Sequence, residues 1–270
     1  MHFTRLAVAV VFIPLFYFLV TLLAPFYFLL CLTGLSLLAQ TEFHRMYKTA
    51  PPVAICGLAA GAAFLLCGSL LLSASLAPQT APVALLPLVI AAAPVLIASV
   101  RLFSVKEPAS ALRDVAPAFV GVLYIPALLY PQYLLRLEGP QWILLLYGCV
   151  WASDSFAYYI GKGLGRRKLY KEVSPNKTVA GAVGSVLGGS VAGLALGALL
   201  MQDLGTPVAT MSGAAIGGIT IVGDLVESMF KRDAGVKDSS AMIPGHGGIL
   251  DKIDSVLFAG PLLYVVAILT

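Results

Sequence analysis

The sequence predicts an all-α integral membrane protein of about nine transmembrane helices, with its N-terminus cytoplasmic and its C-terminus periplasmic. Three observations carry this. Of 270 residues 59% are hydrophobic and only 11% charged, against roughly 25% charged in soluble domains. Mean hydropathy is +0.94. The apolar residues also fall into long runs with basic residues clustered between them, and about 20 apolar residues is what a helix needs to cross a ~30 Å hydrocarbon core. A soluble chain of this size has too little interior to hide so many apolar side chains, so lipid is their solvent.

The first apolar stretch, Leu6 to Gln40, is too long for one span and is broken at Pro25, so two helices are expected there. It also exceeds the ~7–15 apolar residues of a cleaved signal peptide and is expected to stay as an anchor. Further helices are expected over 52–76, 82–100, 115–131, 141–160, 178–201, 207–226 and 254–270. The run 115–131 is short and contains Pro117 and Pro126. With the N-terminus inside, the cytoplasmic segments are 1–5, 41–51, 101–114, 161–177 and 227–253, and they hold 16 of the 17 Lys and Arg, all but Arg136. That asymmetry is what the positive-inside rule requires. A single membrane domain, 1–270, is expected, in which 1–140 scaffold the protein and admit lipid. Residues 141–270 would form the catalytic helices, with cytoplasmic loops 161–177 and 227–253.

The formal charge of +4 does not point to nucleic acid, because no basic domain interleaved with aromatics is present. Cys31, Cys56, Cys67 and Cys149 lie inside apolar runs without CxxC or Cys/His spacing, so neither zinc nor a disulfide frame is implied.

Ionisable groups in or at the ends of membrane helices are costly and mark function. Asp154, Asp224, Glu227, Asp251 and Asp254 fall at the cytoplasmic ends of the sixth, eighth and ninth spans. Asp224 and Glu227 are three apart and share a helix face, as do Asp251 and Asp254. Two acidic faces that converge suit Mg²⁺, which takes one or two carboxylates plus waters and substrate phosphates; the plainer alternative is that these acids pair with Lys231, Arg232 and Lys252. Between them runs the longest polar stretch, with Lys231, Arg232 and Lys237 and the turn Pro244-Gly245-His246-Gly247-Gly248. Such a turn lets backbone approach a ligand and leads into a helix N-terminus that favours anions. Cations, glycines and carboxylates together describe a site for a metal-bound polyphosphate. A lone His in a glycine-rich loop is by itself more often structural.

This stretch resembles the signature of the phosphatidate cytidylyltransferase family. Ser228, Phe230, Lys231, Arg232, Lys237, Asp238, Ser240, Ile243, Pro244, His246, Gly247, Gly248, Ile249, Asp251, Ile253 and Asp254 stand at matching places. Lys252 stands where the family has Arg, which keeps the charge and loses the bidentate fork. Ser153-Asp154-Ser155-Phe156-Ala157-Tyr158-Tyr159, Gly161 to Gly165 and Ser174-Pro175-Asn176-Lys177-Thr178 also follow the family order, with Ala180-Gly181 where Glu-Gly is common. The run Gly161-x-Gly163-x-Gly165 lacks the preceding strand of a dinucleotide site.

The resemblance implies cytidylyl transfer from CTP to phosphatidate, giving CDP-diacylglycerol and pyrophosphate, with Mg²⁺ required and a second cation compatible. It names CTP, phosphatidate and membrane lipid as partners, a homodimer by family analogy alone, and a bacterial inner membrane with the active site facing the cytoplasm. Its expected catalytic residues are Asp224, Asp251, Lys231, Arg232 and His246. Asp224 and Asp251 lead as metal ligands, supported by Glu227 and Asp254. Asp154, Lys177, Lys237, Asp238, Gly247, Gly248 and Lys252 would bind substrate. The rivals are a cation-coupled transporter, whose acids belong near the midplane rather than at one face, and a CTP-using lipid kinase.

Overall fold

The computed structural model describes residues 13–73, 81–242 and 247–270, with side chains described outside 69–89. Residues 13–21 form α1. They are followed by α2 (Pro25–Met46), α3 (Pro51–Ser73), α4 (Ala81–Ser104), α5 (Ala111–Tyr124), α6 (Pro126–Glu138) and α7 (Pro140–Leu164). Then come β1 (Lys168–Tyr170), β2 (Ser174–Thr178), α8 (Val179–Leu200), α9 (Thr206–Asp233) and α10 (Leu250–Leu269). Proline opens α2, α3, α6 and α7, where its missing N–H is one of the helix's unpaired donors anyway.

Among the described residues seven helical segments are long and apolar enough to cross a membrane, with α5 and α6 counted together over Ala111–Glu138. The chain is thus a multi-pass α-helical membrane protein. The expected break at Pro25 is present. The expected run 115–131 is the middle of a longer segment that bends at Ile125, because Pro126 brings no amide hydrogen to the ladder. Expected starts before residue 13 and the end of 52–76 lie outside the described residues.

One element is additional to the all-α expectation. β1 and β2 pair antiparallel, Lys168 opposite Thr178 and Tyr170 opposite Ser174. Strands of three and five residues are too short for the alternation by which a strand is recognised. The hairpin ends in a helix cap: the Thr178 Oγ1 accepts from the Gly181 N–H at 3.1 Å, opening α8.

The chain forms two units. The first comprises Met1–Cys31, Pro131–Val222 and Phe258–Thr270. Here α7, α8 and the first part of α9 pack through glycine. A Cβ on Gly184 or Gly188 would press on the carbonyls of Phe156 or Ala152 in α7, and one on Gly193 on that of Ala209 in α9. Gly189 and Gly213 face each other so closely that a Cβ on either would strike the other's carbonyl. In lipid no hydrophobic force drives helices together, so close backbone approach supplies the packing. Ser185 adds a hydroxyl bond to the Gly217 carbonyl at 2.8 Å.

The second unit comprises Leu32–Tyr130 and Gly223–Leu257. Val53, Ile97, Val115, Ala118 and Val122 form a buried cluster joining α3, α4 and α5. Arg101 closes the loop after α4, donating to Asp114 at 2.7 Å and to the carbonyls of Val105, Glu107 and Ala109. At the end of α2, Phe43 packs edge-on against Phe230 of α9 with centroids 5.5 Å apart, and Phe230 lies 5.2 Å from Tyr124 of α5. These rings, each large enough to bury well over 100 Å², fix α2 and α5 against the C-terminal turns of α9.

Replacing Gly213 with Val is expected to lower the midpoint of thermal unfolding in detergent, an overpacking cost of about 1–3 kcal/mol. Gly218→Val, where a Cβ meets nothing within 4 Å, is expected to unfold close to wild type.

Candidate active site

The site is built at the C-terminal end of α9, the segment after it and the first turns of α10, all in the second unit. α9 runs to Asp233, past the expected 226, and so carries Asp224, Glu227 and Lys231 on adjoining turns of one helix. It ends in a double-bonded glycine turn: the Val236 N–H reaches the Lys231 carbonyl at 2.8 Å and the Gly235 N–H that of Arg232 at 3.1 Å, with Gly235 at φ +73°.

Three carboxylates converge. Asp224, Glu227 and Asp254 each place an oxygen within 4.8 Å of the other two. Two oxygens on opposite sides of an Mg²⁺ at 2.0–2.1 Å are at most about 4.2 Å apart, so small side-chain rotations bring these groups to ligand distance. Glu227 is 1% exposed and ion-paired with Lys231. Lys231 also meets Asp251 at 2.7 Å. Among the described residues the cluster brings several carboxyl groups together beside the Lys231 ammonium in a membrane-embedded unit, and a hard divalent cation fits that donor set. Tyr124, 6% exposed, lies within electrostatic reach of Asp254, Glu227 and Asp224.

Asp251 is otherwise engaged. Besides Lys231 it accepts from the Ser239 N–H at 3.2 Å, the Ser239 hydroxyl at 3.1 Å and the Gly248 N–H at 2.7 Å. Glu42, from α2, accepts from the hydroxyls of Ser239 and Ser240 at 2.9 and 2.6 Å and from the amides of Ile249 and Leu250, both at 2.9 Å. The amides of residues 248–250, expected from the sequence to greet an anion, are therefore satisfied by the protein's own carboxylates. The same contacts explain the two glycines: Gly247 has φ +81°, and a Cβ there would press on Asp251, while one on Gly248 would press on Glu42 and Ser239.

Of the residues singled out in the sequence, Asp224, Glu227, Lys231, Asp251, Asp254, Gly247 and Gly248 come together here. Arg232 is exposed and caps the end of α9 by donating to the Val236 carbonyl at 2.9 Å. Lys237, Asp238 and Lys252 are exposed around the same segment. Pro244, Gly245 and His246 lie outside the described residues. Asp154 is on the exposed side of α7 and Lys177 in β2, both in the first unit. In that unit the Gly161–Gly165 run packs on Thr178 and Gly181, a role in helix contact.

Sequence reasoning passed over Glu42, Tyr47 and Tyr124. An acid at the foot of an apolar helix, Glu42-Phe43-His44-Arg45, was the available signal. Tyr47, just beyond α2, donates to Asp233 at 2.9 Å and to the Phe230 carbonyl at 3.3 Å. Burial and the Asp233 carboxylate push its phenol above the usual range, so it stays a donor at neutral pH.

A multi-pass helical protein with a carboxylate cluster, a half-buried lysine and a glycine turn at one end of its helices is the class that fold and site define. The chain belongs to the cytidylyltransferase family, whose model matches residues 3–269. It is 48% identical over 124 residues to a phosphatidate cytidylyltransferase of Synechocystis, covering 46% of this chain and 42% of that one. It is 37% identical over 173 residues to a phosphatidate cytidylyltransferase of Staphylococcus aureus, covering 62% and 61%. An uncharacterized protein of Escherichia coli, YnbB, is 38% identical over 167 residues, covering 59% and 56%. The matched segments thus span about half the length of these relatives.

A divalent cation such as Mg²⁺ or Mn²⁺ is expected to raise the unfolding temperature of the wild type, as any ligand of the folded state does. Asp224→Asn and Asp254→Asn should each remove most of that rise, whereas Asp203→Asn, exposed and outside the cluster, should keep it. Thermal scans with and without cation read this directly.

Proposed function

We propose that this protein transfers the cytidylyl group of CTP to phosphatidate, forming CDP-diacylglycerol and pyrophosphate. The carrying observation is the cluster of Asp224, Glu227 and Asp254 beside Lys231, at the point where the chain shares its signature with the family. Bacterial relatives that bear the name of this activity support the reading.

An oxygen of the phosphatidate phosphate forms a bond to the α-phosphorus of CTP as the bond from that phosphorus to the oxygen bridging to the β-phosphate breaks. The electron pair leaves with pyrophosphate. A phosphomonoester has its second pKa near ~6, so the nucleophile is already anionic at neutral pH and needs no dedicated base. Positioning and charge neutralisation then carry the rate. Asp224, Glu227 and Asp254 would hold a divalent cation, which when bound neutralises phosphate charge and polarises the reacting phosphoryl group. Asp251 orients Lys231, whose ammonium has three donors and keeps one for a phosphate. Arg232, Lys237 and Lys252 supply further positive charge, with Lys252 a point charge where a fork would grip two oxygens. His246, Asp238, Asp154 and Lys177 are assigned to substrate on the sequence pattern alone.

For topology we propose nine spans, the seven candidate segments together with α4 and the apolar run from Leu6 to the break before Pro25. The N-terminus and the active site would face the cytoplasm, because nearly all basic residues then lie inside. A bacterial inner membrane is the matching location, with residues 1–140 mainly scaffold and lipid access.

Purified protein given CTP, Mg²⁺ and phosphatidate is expected to release pyrophosphate only when all three are present. Asp224→Asn should lower turnover by about 100-fold or more. Release of CDP instead would mean γ-phosphate transfer, and no nucleotide turnover at all in folded protein would turn attention to cation transport.

A further inference from the structure

Glu42 is fully buried, and among the described residues its carboxylate has four donors, Ser239, Ser240, Ile249 and Leu250, on the two sides of one loop. Two of them, Ile249 and Leu250, are amides at the start of α10 that no helical carbonyl can serve. A carboxylate placed there by another helix acts as the cap and opposes the positive end of the helix dipole. Two more, Ser239 and Ser240, are the hydroxyls that end the polar segment after α9. Ser239 stands between Glu42 at 2.9 Å and Asp251 at 3.1 Å, and its single hydroxyl proton serves one of them at a time.

α10 carries Asp254 just one turn beyond this cap, and Asp251 within it. The position of those carboxylates relative to Asp224 and Glu227 therefore depends on where the start of α10 is held. Lys231 and Asp251 tie it to α9, and Glu42 ties it to α2. Gly248 leaves no room for a side chain between Glu42 and Ser239, so the fit admits little slack.

We infer that Glu42 is a positioning residue for the reaction, holding the polar segment and the first turn of α10 so that Asp254 and Lys231 meet the cation and the triphosphate. This rests on the cytidylyl-transfer reading for its kinetics, though not for its geometry. Gln at this position has the same shape but offers one oxygen, and its amide nitrogen would face two donors. Positioning groups of this kind change metal affinity or activity by about 10–100-fold.

The test compares wild type, Glu42→Gln and Ser240→Ala. Glu42→Gln is expected to raise the half-saturating concentrations of CTP and Mg²⁺ by ~10-fold or more, with the half-saturating phosphatidate changed far less. Amide exchange should rise over 239–250 and stay as in wild type over α7. Ser240→Ala, which removes one donor and keeps the charge, should move the same quantities in the same direction by less, and decides the matter if Glu42→Gln does not accumulate folded. A lowered unfolding temperature with CTP, Mg²⁺ and amide exchange at 239–250 unchanged would overturn the inference. A wild type without pyrophosphate release would instead sink the cytidylyl-transfer reading, while the amide-exchange comparison still decides what Glu42 holds.

Discussion

Carboxylates withdrawn from water must be paired or fully hydrogen-bonded, and in a membrane-embedded unit nothing else can satisfy them. The second unit is organised around that demand. Lys231 lies between Glu227 and Asp251, while Glu42 takes four donors from the segment that follows α9. Breaking such a pair by removing one partner leaves an uncompensated buried charge, a cost of about 3–5 kcal/mol. The polar segment is consequently held on both sides, at Ser239 and Ser240 and at Ile249 and Leu250.

The same demand separates two kinds of acid in the cluster. Asp251 and Glu42 accept hydrogen bonds from the protein's own amides and hydroxyls. Asp224, Glu227 and Asp254 converge on one another, and Lys231 pairs with Glu227. Convergent like charges of this kind favour capture of a cation. The amides at the start of α10 are already occupied by Glu42.

Much of this was legible beforehand. Apolar runs and the punctuation by proline revealed most helices, and the three-residue spacings of Asp224 with Glu227 and of Asp251 with Asp254 marked the acidic faces. What escaped depended on contacts between distant parts of the chain. Glu42 lies nearly 200 residues before Ser239, and no local pattern announces that the end of α2 meets the start of α10. The pairing of Asp251 with Lys231 is likewise a matter of side-chain direction. The β1–β2 hairpin was hidden because its strands are too short for periodicity to register. The glycines of α8 read as generic small residues until their facing carbonyls in α7 and α9 were known.

The most direct measurement is the anomalous scattering of Mn²⁺ in crystals of the protein grown with CTP. The account predicts a peak bounded by carboxylate oxygens of Asp224, Glu227 and Asp254, with Lys231 still paired to Asp251. A peak coordinated by Asp251 with Lys231 displaced, or metal bound only away from these three acids, would contradict it.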